Sequence, residues 1–93
     1  MSSANRLGDA EIRSRLAAVP GWQLDGQEIR RTFQFGDFAG ALAFVNRVGA
    51  LAEAAGHHPD IDIRYSRVTL ALTTHDAGGL TARDFELAAQ IEG

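Results

Sequence analysis

The sequence has no cysteine, which removes both a disulfide framework and a thiolate metal site from consideration. It has only two prolines against 45% hydrophobic residues, a balance that fits a globular domain and not a disordered chain. Excess positive charge is also missing. The net charge is −3, the pI is about 5.5 and Arg30-Arg31 is the only adjacent basic pair, so there is no electrostatic footprint for nucleic acid. No apolar run approaches the ~18–20 residues of a membrane span. The opening Met-Ser-Ser-Ala-Asn-Arg lacks the apolar centre of a secretion signal. A soluble cytoplasmic protein, binding neither membrane nor nucleic acid, is the expectation. The 93 residues make one domain, 1–93, with no room for a second. A core that small, without staples, favours a homo-oligomer.

What is present reads in chain order as follows. Residues 1–8 are expected to be a frayed start, with Asp9 as N-cap of a short helix carrying Ile12, Leu16 and Val19. Pro20-Gly21 stops it. Asp25-Gly26 predicts a type I′ hairpin that sets Trp22, as a core aromatic, opposite Ile29. Ile29, Arg31, Phe33 and Phe35 then alternate with Arg30, Thr32 and Gln34, the period of a strand. Asp37 caps a helix of about five turns, through Phe38, Ala41, Leu42, Val45, Val48, Ala52 and Ala55, ended by Gly56.

Two further strands follow. Ile61, Ile63 and Tyr65 share one face, with Tyr65 expected in the core, and Asp60, Asp62 and Arg64 lie outward. Val68, Leu70 and Leu72 line the inner face of the next strand. A two-residue loop at Ser66-Arg67 would pair Tyr65 with Val68 and, by extension, His58 with His75. Thr81 and Asp84 resemble a capping box before a last helix with Leu87, Ala88 and Ile91 inward. The order α-β-β-α-β-β-α predicts an α+β fold, one antiparallel sheet with helices on one face.

All three histidines, His57, His58 and His75, lie between Glu53 and Asp84. Surface histidines that do nothing are one reading. Zinc is another, since Glu53 or Asp60 could complete a shell. However, a histidine pair followed seventeen residues later by a third matches no zinc spacing, and Pro59 holds His58 extended, which splays the pair. Acid–base chemistry fits better, because imidazole titrates near ~6.5 and can both give and take a proton. No Gly-X-Ser-X-Gly elbow is present, and Gly78-Gly79 lacks the lysine and spacing of a phosphate loop.

The spacing of Glu53, His57-His58-Pro59, Tyr65, His75 and Asp84 resembles the signature of the pterin-4a-carbinolamine dehydratases. Thr74-His75-Asp76-Ala77-Gly78-Gly79-Leu80 is similar to that family's second substrate loop, and the likeness covers nearly the whole chain. The resemblance implies a four-stranded antiparallel sheet with three helices, assembly into homodimers or homotetramers, and neither metal nor organic cofactor. It implies dehydration of 4a-hydroxytetrahydropterin to quinonoid dihydropterin, with a functional link to a pterin-dependent hydroxylase and a place in tetrahydropterin recycling.

On that basis His57, His58 and His75 are the catalytic candidates. His57 and His75 take the acid–base work and His58 holds the pterin. Glu53, Pro59, Thr74, Asp76, Ala77 and Asp84 are the substrate-binding candidates. Asp84 is split between binding and capping. Ile61 stands where some members carry a bulky aromatic near the pocket. The competing class is a non-catalytic interaction module or dimerisation partner on the same fold. Intact histidines at all three positions favour the enzyme.

Overall fold

The structure, a computed structural model, describes residues 6–92. Helix α1 spans Asp9–Leu16, α2 Phe38–Ala55 and α3 Ala82–Glu92. The strands are β1 (Gln23–Asp25), β2 (Glu28–Gln34), β3 (Asp60–Arg64) and β4 (Arg67–Leu72), and a single 3₁₀ turn covers His75–Ala77. They form one four-stranded antiparallel sheet in the order β1-β2-β4-β3. The expected α+β fold and element order are both found.

Side-chain alternation explains the layers. Ile29, Val68, Leu70 and Leu72 point from the two central strands into the core, where they meet Ala41, Val48 and Ala52 of α2 and Phe85, Leu87, Ala88 and Ile91 of α3. Among the described residues no helix covers the opposite face, which is polar; there the Thr32 and Thr69 hydroxyls lie 2.9 Å apart across β2 and β4. Trp22 is buried in the core as expected, edge-on to Phe33, with its indole N–H donating to Glu92 at 3.1 Å. Glu92 also meets Arg31, and Arg47 donates twice to the Ile91 carbonyl at 3.0 and 3.1 Å. The end of α3 is thereby tied to the β1–β2 hairpin and to α2.

Several local expectations change. Gly8, not Asp9, caps α1, and no residue of α1 is fully buried; Asp9 sits in its first turn, where a negative charge suits the dipole. The frayed start lies outside the described residues up to 5, but Leu7 is already anchored, its N–H donating to the Leu80 carbonyl at 2.8 Å. In the first hairpin the turn is Gly26-Gln27, with Gly26 at φ 64°, so Leu24 and not Trp22 faces Ile29. The second turns at Tyr65-Ser66, which pairs Ile63 with Val68 and Ile61 with Leu70. Extending that register brings His58 level with Thr73 and not with His75. Both turns moved without changing parity, so every strand face is the one expected.

Tyr65 leaves the core altogether. It takes the left-handed turn position at φ 51° and is 69% exposed. Helix α2 is capped as expected, by Asp37 accepting from the Gly40 N–H at 2.8 Å and by Gly56 at φ 63°. Only Ala41, Val48 and Ala52 of its apolar residues are fully buried, and Phe38 and Leu42 are exposed. Against the sequence expectation, this 18-residue helix is long and apolar enough to cross a membrane by length and composition. Here one of its faces packs against the sheet.

The left-handed Gly56 has no neighbour within 4 Å of where a Cβ would sit, so the cost of a side chain there is conformational alone. Gly56→Ala is therefore expected to lower stability by about 1 kcal/mol in urea denaturation, with no change in m-value.

Candidate active site

The histidine corner begins where α2 ends. The His57 N–H donates to the Ala52 carbonyl at 3.1 Å and the Gly56 N–H to the Glu53 carbonyl at 3.2 Å. That is the paired bonding of a Schellman motif, which needs the left-handed Gly56 and fixes the backbone of His57. The chain then turns through Pro59 into β3, and the two rings part. His57 goes inward and is buried; His58 goes outward and is exposed. The His58 Nε2 lies 2.6 Å from a carboxylate oxygen of Glu53, one turn back on α2.

The second half of the site is a closed loop after β4. Thr74 and Gly79 exchange backbone hydrogen bonds at 3.2 and 3.3 Å, while Ala77 and Gly78 donate to the Thr74 and His75 carbonyls at 3.0 Å. Gly78 supplies the positive φ of 74° that closes the turn. His75 stands exposed at the start of this turn.

Beneath both halves lies Asp84, with 0% exposure. One carboxylate oxygen is 2.5 Å from His57 Nε2. The other accepts from the Thr74 hydroxyl and from the Thr81 backbone N–H, each at 2.9 Å. The Thr81 contact is one half of the capping box expected from the sequence. Among the described residues no buried side-chain nitrogen or oxygen is left without a partner.

The resulting cleft, about 270 Å³, is lined by Gly56, His57, His58, Thr73, Thr74, His75, Asp76 and Arg83. All three histidines therefore converge, together with Thr74 and Asp76. Glu53, Pro59, Ala77 and Asp84 do not line it; Glu53 reaches it through His58, and Asp84 lies behind His57. Sequence reasoning missed Arg83, whose guanidinium donates to the Gly56 carbonyl at 2.8 Å, and gave Thr81 only a capping role. Arg83's place beside Asp84 in the first turn of α3 is the one signal that pointed to it. No three His, Asp or Glu side chains among the described residues are grouped so as to hold a metal ion.

A larger cleft of about 580 Å³ runs along the β1 edge, past Arg30 and Arg31. Its charged groups are already engaged, Arg30 with Glu28 at 2.7 Å and Arg31 with Glu92. It holds no side chain that exchanges protons near neutrality. Chemistry points to the smaller cleft.

A sequence model of the family described as pterin 4 alpha carbinolamine dehydratase matches residues 5–93. The chain belongs to the pterin carbinolamine dehydratase family. A relative from Roseiflexus sp. provisionally named pterin-4-alpha-carbinolamine dehydratase is 64% identical over 89 residues, covering 96% of each chain. Another from Chloroflexus aurantiacus, with the same provisional name, is 64% identical over 87 residues and covers 94% of each. A crystal structure of a transcriptional coactivator/pterin dehydratase from Brucella melitensis superposes with a TM-score of 0.90 at 38% identity, covering 95% of this chain and 96% of that one. A pterin dehydratase-like protein identified as a RuBisCO assembly factor in the alpha-carboxysome superposes with a TM-score of 0.62 at 26% identity, covering 76% of this chain and 82% of its own.

Within this dehydratase-family domain, Asp84 links the end of α2, the end of β4 and the start of α3. Asp84→Ala removes at once the carboxylate that the Thr74 hydroxyl, the Thr81 N–H and the His57 ring share. A loss of about 2–3 kcal/mol in urea denaturation is expected. A loss well under 1 kcal/mol would show that the three donors find other partners.

Proposed function

We propose that this chain is a dehydratase that eliminates water from a 4a-hydroxytetrahydropterin, giving quinonoid dihydropterin in the recycling of a tetrahydropterin cofactor in the cytoplasm. The observation that carries the reading is the convergence of His57, His58 and His75 on one cleft, in a chain that belongs to the pterin carbinolamine dehydratase family. The reaction asks for little beyond what these side chains offer. The C4a–O bond breaks and the hydroxyl leaves as water once it receives a proton. The N5–H bond breaks, and its electron pair forms the C4a=N5 double bond. One group must give a proton and another must take one.

His57 and His75 are the acid–base pair in this proposal, placed on separate elements around the cleft. His58, held by Glu53, steadies the pterin from the exposed side. Thr74 and Asp76 line the same cleft; the exposed Asp76 offers the hydrogen-bonding partner that the polar edge of a flat pterin needs, and Thr74 shapes the wall. Each well-placed proton transfer is worth about 10²–10⁴-fold. Alanine at His57 or at His75 is therefore expected to lower kcat by at least about 10²-fold, assayed on carbinolamine generated in situ. His58→Ala is expected to raise KM more than it lowers kcat. Near-normal turnover in all three variants would sink the proposal.

The same proposal includes a homo-oligomer, a dimer or tetramer. Strand β3 is a sheet edge, with Ile61 39% and Ile63 37% exposed on its helix-facing side, and α2 exposes Leu42 at 41%. Apolar side chains beside an unpaired edge are what a second copy of the chain would cover. The wild type is expected to sediment as a dimer or tetramer, and the double variant Leu42→Glu, Ile61→Glu as a monomer. A wild type that stays monomeric at tens of micromolar refutes this part.

The second reading, an interaction module, draws on the relative identified as a RuBisCO assembly factor. A pterin-binding titration separates the two. Absence of binding, together with a stable complex with another protein, favours the module.

A further inference from the structure

The hydrogen bonds around Asp84 run in one direction only. A carboxylate oxygen accepts and cannot donate, so the Thr74 hydroxyl spends its single proton on Asp84 at 2.9 Å. The Thr74 and Thr81 hydroxyl oxygens are 2.8 Å apart, so Thr81 must be the donor in that contact. The Thr81 oxygen in turn accepts from the Arg83 N–H at 3.3 Å. The proton order is thus Arg83 N–H to Thr81, Thr81 to Thr74, and Thr74 to Asp84. With the Thr81 backbone N–H added, that oxygen of Asp84 has two donors, which stops the carboxylate from rotating. Its other oxygen is left facing His57 alone.

His57 Nε2 lies 2.5 Å from that oxygen, so the proton of the ring sits on Nε2. No hydrogen bond among the described residues reaches Nδ1. Since no sealed side-chain nitrogen or oxygen among the described residues lacks a partner, Nδ1 is not fully sealed, and His57 is one of the residues that line the cleft.

We infer that Thr74 and Thr81 are positioning residues whose hydroxyls lock Asp84, and through it hold His57 as the Nε2–H tautomer with Nδ1 as the working base. This rests on the dehydratase reading for its consequence: the N5 proton passes to His57 Nδ1, its electron pair forms C4a=N5, and His75 protonates the departing hydroxyl. The tautomer itself is independent of that reading. Which ring nitrogen carries the proton is set by the bond the other one makes. Here that bond is governed from two residues away.

The test uses the full-length protein labelled with ¹⁵N at histidine. In the wild type His57 is expected to show a protonated Nε2 and an unprotonated Nδ1. Thr74→Val, close to threonine in shape but without the hydroxyl, is expected to mix the tautomers and to lower kcat/KM by about tenfold or more, the loss of a hydrogen bond to a charged group. Thr74→Ser restores both. Thr81→Val keeps the backbone N–H and removes only the hydroxyl, so it gives a smaller shift of the same sign and serves if Thr74→Val does not fold. A wild-type His57 protonated on Nδ1 overturns the inference. So does a folded Thr74→Val, or Thr81→Val in its place, with an unchanged tautomer. If the wild type shows the Nε2–H form but turns over no carbinolamine, the dehydratase reading fails and the tautomer lock stands.

Discussion

A carboxylate with no solvent exposure, inside a domain of 93 residues, constrains everything near it. Taken from water without partners, Asp84 would oppose folding by several kcal/mol. Its partners come from three different elements: His57 from the corner after α2, Thr74 from the end of β4, and Thr81 from the start of α3. None of these can shift without stripping a donor from a buried acceptor. The interaction therefore does two things at once. It fixes how the helices meet the ends of the strands, and it places one imidazole at the wall of a cleft.

This arrangement accounts for the different fates of two adjacent histidines. Backbone geometry divides them first, because the Schellman bonds of α2 set His57 and Pro59 then forces His58 into extended conformation. Burial divides them further. His57 is buried and bonded to Asp84, whereas His58 remains exposed beside Glu53. Both rings line one cleft but leave the backbone in different directions, so each imidazole meets its own carboxylate, His57 the buried Asp84 and His58 the exposed Glu53.

Much of this was legible in the sequence, and the errors share a cause. Alternation of Ile29 with Arg30, or of Leu70 with Thr69, reports which side chains face the core, and those faces were right. The turn positions were wrong in both hairpins because parity survives when a turn slides by one residue. Asp25-Gly26 offered a favoured turn pair, but the positive φ of Gly26 serves as the first turn position, not the second. Tyr65 was misplaced for the same reason: its parity is that of Ile61 and Ile63, yet the turn claims it. The exposure of α2 and β3 misled in another way. A single chain records which residues are apolar and not what covers them, so Leu42 and Ile61 read only as members of apolar faces, with no sign that they are exposed. The network around Asp84 depends on contacts 7 to 27 residues apart, which no local pattern encodes beyond the capping spacing of Thr81 and Asp84.

The same network bears on how function should be judged in this family, where one structural relative is a RuBisCO assembly factor. Loss of His57 would leave Asp84 short of a donor, so a chain could keep His57 for stability after all catalysis had gone. Its presence is weak testimony. His58 and His75 are exposed, and neither is bonded to the buried carboxylate. Substituting either would cost the fold little, because exposed polar side chains contribute little to stability. Both line the cleft that Asp84 helps to shape, so substitutions there separate an effect on the cleft from an effect on the fold.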